Sequence, residues 1–75
     1  MNDGDRKKLV EARGKLEEAK ELVNEIAEGE QEKFDNLSEG LQAAEAGQKM
    51  EEIASALSDV VSNLEDQISA IVDLE

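Results

Sequence analysis

Residues 50–74, MEEIASALSDVVSNLEDQISAIVDL, carry a seven-residue repeat. With Met50 at position a, that position reads Met50, Leu57, Leu64 and Ile71, and d reads Ile53, Val60, Gln67 and Leu74. Position e is apolar too, with Ala54, Val61 and Ile68. Serines fill f and carboxylates fill c. An a/d seam with polar outer positions marks a helix that lies along another helix. The added e residues widen the stripe beyond what a two-stranded coil needs, which suits a bundle.

Heptads of their own run through the first half, one residue out of phase with those of the second. Leu9, Leu16 and Val23 take a, while Ala12, Ala19 and Ile26 take d. The register then fails at Glu30 and Lys33, just after Gly29, so a kink or break is expected there. Asn36-Leu37-Ser38-Glu39-Gly40 reads as a turn, with Gly40 suited to a left-handed helix cap. Asp3 is the expected N-cap. These signals give one all-α domain over 1–75, with helix 1 about 5–36, a turn about 37–43 and helix 2 about 44–74.

Two helices of equal length joined by a short turn fold back as an antiparallel, coiled-coil-like hairpin. Its expected core is Leu9, Leu16, Val23, Ile26, Ile53, Leu57, Val60, Leu64, Ile68 and Ile71. Leu37 and Leu41 would close the turn, with Phe34 plugging that end. Six of the eight basic residues lie in the first 20, namely Arg6, Lys7, Lys8, Arg13, Lys15 and Lys20. An antiparallel fold sets them beside Glu65, Asp66 and Asp73.

Seventy-five residues bury little surface alone, and with no Cys or His neither disulfides nor the commonest metal ligands can supplement the core. Oligomerisation is the remaining supplement. Two hairpins pairing into a four-helix bundle would cover the wide stripe. Self-association is therefore expected through Leu57, Val60, Val61, Leu64, Gln67, Ile68 and Ile71, with small g residues Ala56, Asn63 and Ala70 allowing close approach. Gln67, the polar d residue, either fixes register or lies solvated at the bundle edge.

The second pattern is acidic. Glu18, Glu21, Glu25, Glu28, Glu32, Asp35 and Glu39 follow alternating steps of three and four. On one helix they are c and f positions, with neighbours about 5–6 Å apart. That is comparable to the separation of phosphates along a nucleic-acid strand. Like charges at such steps oppose the helix by about 0.2–0.5 kcal/mol each, and Lys33 and Lys49 are the only basic residues after Lys20. Two readings follow: a phosphate-mimicking surface for a basic groove, or a face kept acidic for solubility.

The net charge of −12 repels nucleic acid and anionic membranes and favours basic protein surfaces. No apolar run reaches membrane-spanning length, and the polar start MNDGDRKK predicts no signal peptide. Leu74-Glu75 matches the scar a cloning site leaves before a purification tag. Asn36-Leu37-Ser38 matches a glycosylation acceptor, a frequent chance match. An enzyme is not expected. The serines lack a His partner, Glu-x-x-His metal pairs cannot be built, and calcium and phosphate loops are missing. No cofactor or metal is expected.

Residues 28–53, EGEQEKFDNLSEGLQAAEAGQKMEEI, carry a resemblance. Glu30, Gln31, Glu32, Phe34, Asp35, Asn36, Glu39, Leu41 and Gln42 resemble the turn of small acidic helical-hairpin proteins encoded by bacteriophages. Ser38 stands where that group has Pro, and Ala44 where it has a capping Ser. The resemblance covers about a third of the chain. It implies a phage origin and a hairpin, and it assigns no activity. The expected function is a non-enzymatic, self-associating acidic interaction protein. In concrete form it is a phage-type inhibitor in the host bacterial cytoplasm, occupying a basic groove of a nucleic-acid-binding or defence protein. The alternative is an oligomerisation module.

Overall fold

The computed structural model describes residues 1–75. Helix α1 spans Asp3–Asp35, the short α2 spans Glu39–Ala43, and α3 spans Glu45–Leu74. The chain has no strands, and α1 packs along α3 as an all-α hairpin. Asn2, not Asp3, caps α1: its side-chain oxygen accepts from the Asp5 amide at 2.8 Å. The helix thus starts two residues earlier than the periodicity suggested. Asp3 and Asp5 then sit in the first turn, where carboxylates suit the helix dipole.

Neither a break at Gly29 nor a left-handed cap at Gly40 occurs: α1 runs unbroken through Gly29, and no residue adopts a positive φ. Instead Gly40 lies inside α2, whose N-cap Ser38 accepts from the Leu41 amide at 3.4 Å. The turn is therefore not irregular across 37–43 but holds one extra helical turn. Gln42 Nε2 donates to the Phe34 carbonyl at 3.1 Å and ties α2 to the end of α1. Phe34 and Leu37 are half-buried at this elbow, whereas Leu41 stays exposed.

Gly47 makes the elbow compact. It is buried, and a Cβ there would lie 2.7 Å from the Gln42 carbonyl oxygen and 2.9 Å from the Gln42 Cα. Only a residue without a side chain lets α2 fold onto the first turn of α3. Ala44, the N-cap of α3, has the extended backbone a cap requires (φ −69°, ψ 160°) but no side-chain hydrogen bond.

The seam between the long helices differs in phase from the expected one. On α3 the residues turned toward α1 are Met50, Leu57, Leu64 and Ile71 at a, with Ala54, Val61 and Ile68 at e. On α1 they are Leu9, Leu16 and Val23 at a, with Ala27 and Phe34 at e, and the small d residues Ala12 and Ala19 are half-buried beside them. Ala27 and Ala54 are the most buried side chains, 5% and 1% exposed. The d residues Ile26, Ile53 and Val60, expected in the core, are 55%, 50% and 42% exposed. The physical reason is composition. An a/d contact would bring Gln67 and Lys33 into the seam, whereas a/e on α3 is wholly apolar. On α1 the e residues Arg13 and Lys20 are half-buried at its edge, where long side chains can lay their hydrocarbon stems on apolar surface.

The expected pairing of basic α1 with acidic α3 is also reduced. Arg13 alone crosses, its Nε approaching Glu75 Oε1 at 2.7 Å as an ion pair without hydrogen-bond alignment. Arg6 and Lys15 pair within α1, with Asp3 and Glu11. Glu65, Asp66 and Asp73 sit at b and c, turned away from the seam, and take no basic partner.

The result is a rod of 58 × 14 × 12 Å. Its radius of gyration is 17.1 Å, against about 11 Å for a compact chain of this length. Only three of 75 residues are buried, so the hairpin encloses almost no core of its own.

Two predictions follow for stability. Gly47→Ala should lower it, because overpacking against backbone typically costs about 1–3 kcal/mol and exceeds the gain in helix propensity. Gly14→Ala is the counterpart: a Cβ there meets nothing within 4 Å, so it should stabilise by about 0.5–1 kcal/mol. Thermal unfolding followed by circular dichroism should order the three proteins Gly14→Ala, wild type, Gly47→Ala. Separately, Ala44→Ser should raise stability by about 0.5–2 kcal/mol by supplying the missing cap. An unchanged melting temperature would show that the first turn of α3 needs no cap.

Candidate functional site

The seam decides where every other side chain points. When antiparallel helices meet through a and e, geometry places the d and g positions of both on one side of the plane through their axes. The b and f positions fall on the other side, and c points away from the seam. A shallow groove at the open end shows this sharing: Asp5, Lys8 and Ala12 of α1 line it together with Leu74 of α3.

The d and g side is nearly free of acid. On α1, d reads Asp5, Ala12, Ala19, Ile26 and Lys33, and g reads Lys8, Lys15, Leu22 and Gly29. On α3, d reads Ala46, Ile53, Val60, Gln67 and Leu74, and g reads Lys49, Ala56, Asn63 and Ala70. Asp5 is the one carboxylate among these positions, in a chain with 20 acidic residues. Leu22 and Ile26 are 62% and 55% exposed here, and Ile53 and Val60 also lie open. Of the residues expected to mediate self-association, Val60 and Gln67 lie on this open side. Leu57, Val61, Leu64, Ile68 and Ile71 pack toward α1 instead.

The acidic residues gather on the other sides. Glu18, Glu21, Glu25, Glu28, Glu32 and Asp35 all lie on the unbroken α1 and are exposed. None takes part in an ion pair. Two have neutral partners: Asn24 Nδ2 donates to Glu28 at 3.1 Å, and Gln31 Nε2 donates to Asp35 at 2.9 Å. Glu39 leaves the row, because α1 ends at Asp35 and Glu39 opens α2. Near the row, Lys33 contacts Glu30 at 3.2 Å and Arg13 contacts Glu17 at 3.9 Å, while Lys20, at e, makes no ion pair.

A second row of c carboxylates, Glu52, Asp59, Asp66 and Asp73, points outward from α3. An open hollow beside it is lined by Gln48, Glu51, Glu52, Ser55, Ala56 and Asp59. No three carboxylates anywhere converge closely enough to hold a metal ion. No helix is long and apolar enough to cross a membrane.

Sequence reading found the acidic row and the apolar stripe but missed their opposition. The signal was present in the d and g positions of both halves, taken together. Comparison of the chain with protein-family models, with curated proteins and with solved structures found no match.

Proposed function

We propose that the chain is a non-enzymatic interaction protein whose α1 ridge occupies a basic groove of a nucleic-acid-binding protein. The ridge stands in for a phosphate backbone there, as a phage-encoded inhibitor acting in a bacterial cytoplasm would use it. The observation that carries this reading is the row from Glu18 to Asp35: exposed carboxylates on one unbroken helix with no basic partner. At 1.5 Å per residue the row extends about 25 Å. A surface ordinarily intersperses both signs of charge. Here the row remains uncompensated, so its field is available to a cationic partner, steering encounter and favouring the complementary groove.

One observation favours the plainer reading, an oligomerisation module with a solubilising exterior. The outward c carboxylates of α3 are unpaired as well. Acid therefore coats both helices rather than marking α1 alone. The two rows differ in spacing. Those on α1 recur every three or four residues, whereas Asp59, Asp66 and Asp73 recur every seven, about 10.5 Å apart.

The test replaces Glu21, Glu25, Glu28 and Glu32 with Gln. This variant should remain helical and melt no lower than wild type, since like-charge repulsion along the helix is relieved. Wild-type protein immobilised on resin should retain nucleic-acid-binding proteins from a bacterial lysate. Those proteins should elute as salt rises and be displaced by added duplex DNA, while the Gln variant should retain none. Asp59→Asn with Asp66→Asn and Asp73→Asn should retain them nearly as wild type does. Equal retention by the α1 variant would leave the acidic surface as a solubility device.

A further inference from the structure

The d and g side of the hairpin is an extended apolar surface without a partner in the chain, and we infer that a second copy of this chain covers it face to face. Three observations select that occupant. The first is charge. Carboxylates occupy most outward positions elsewhere, yet from Lys8 onward this side has none, and its middle has no charge of either sign. Lys8 and Lys15 lie toward the open end, and Lys33 and Lys49 toward the elbow. Two chains of −12 repel, and they can approach only where their carboxylates point away from the contact. This side meets that condition for both partners at once, as a two-fold, self-complementary interface requires. A basic partner would find its attraction on the acidic sides instead.

The second observation is area. A side 58 Å long and 14 Å wide offers a footprint of about 800 Å², the amount one partner contributes to a standard stable interface. The chain exposes 5445 Å² in all, whereas a monomeric protein of its mass exposes about 4,500 Å². The excess is close to what one such contact would remove from water. The third is packing. The open-end groove that Leu9 and Leu74 line together fixes a register in which Leu22 lies level with Val61 and Ile26 with Leu57, one residue from Val60 and Ala56 on the d and g side. Large residues thus alternate with the small Ala19, Gly29 and Ala56, so two copies can interdigitate as bundle helices do.

This inference is independent of the acidic ridge: the ridge variant keeps the apolar side intact, and either reading can fail alone. Sedimentation equilibrium of the wild type should give twice the 8.2 kDa chain mass. Leu22→Glu combined with Ile53→Glu should weaken association by about 100-fold or more, since it places four carboxylates in the dimer interface. Val10→Glu combined with Val72→Glu, at exposed b positions on the opposite side, should leave association unchanged. A loss of helix on dissociation would complicate the first pair, so a cysteine provides a second reading in a chain that otherwise has none. Val60 sits near the midline at mid-length, close to a two-fold axis of either orientation. Val60→Cys should therefore oxidise to a linked dimer rapidly, and Ser62→Cys, at f, should not. A monomeric wild type at high micromolar concentration overturns the inference. So does equal weakening by the two glutamate pairs, or equal linkage at both cysteines.

Discussion

The contact of α1 with α3 through positions a and e orients every other surface of this molecule. Two long helices that meet along one stripe have a single rotational choice each, and that choice sets the outward direction of all remaining residues. Ala27 and Ala54 fix it, because small side chains at the most buried points allow the backbones to approach. The wholly apolar a/e stripe of α3 reinforces it. Once the phase is chosen, the large d residues Ile26, Ile53 and Val60 face outward and the c carboxylates must point away from the seam. Apolar and acidic surfaces are separated as a consequence of packing and need no separate device.

Much of this architecture was legible in the sequence. Heptads in both halves gave two helices, and the polar residues around Asn36 gave the reversal. The phase was not legible from either helix alone. Ala54, Val61 and Ile68 widened the stripe of α3 to a, d and e together, and a pattern of that width fits two seams equally well. Gln67, which an a/d seam would bury, resolves the choice for α3, but only once both helices are set side by side. The glycines misled for a related reason. A Gly within a helix is only modestly unfavourable, so Gly29 did not break α1. Gly47 carried no local signal, because its role depends on Gln42 crossing above it.

The acidic row was legible as a row but not as a uniform set. Glu18 through Asp35 share one helix, whereas Glu39 belongs to the next and points on a different axis. Sequence spacing continues smoothly across the turn while the backbone does not. Side-chain pairing likewise followed proximity along the helix: Lys15 reaches Glu11 and Lys49 reaches Glu45. Opposite charges on separate helices had been expected to meet, but only residues at the seam edge, as Arg13 is, can cross it.

The elbow has a kinetic consequence. Its contacts join near neighbours: Gln42 to Phe34, and Gly47 to the turn of α2. At the far end, Arg13 and Glu75 come from distant parts of the chain. Closing a long loop in one step loses more chain entropy than extending a structure already closed at its turn. Helix pairing is therefore expected to zip outward from the elbow and to fray inward from the termini. Amide exchange that is slower around Val23 and Leu57 than around Leu9 and Ile71 would reveal that order, and uniform exchange would refute it. A chain that zips this way forms its Ile26 and Ile53 region early. The apolar side around Ile26 and Ile53 is then assembled before the hairpin is complete.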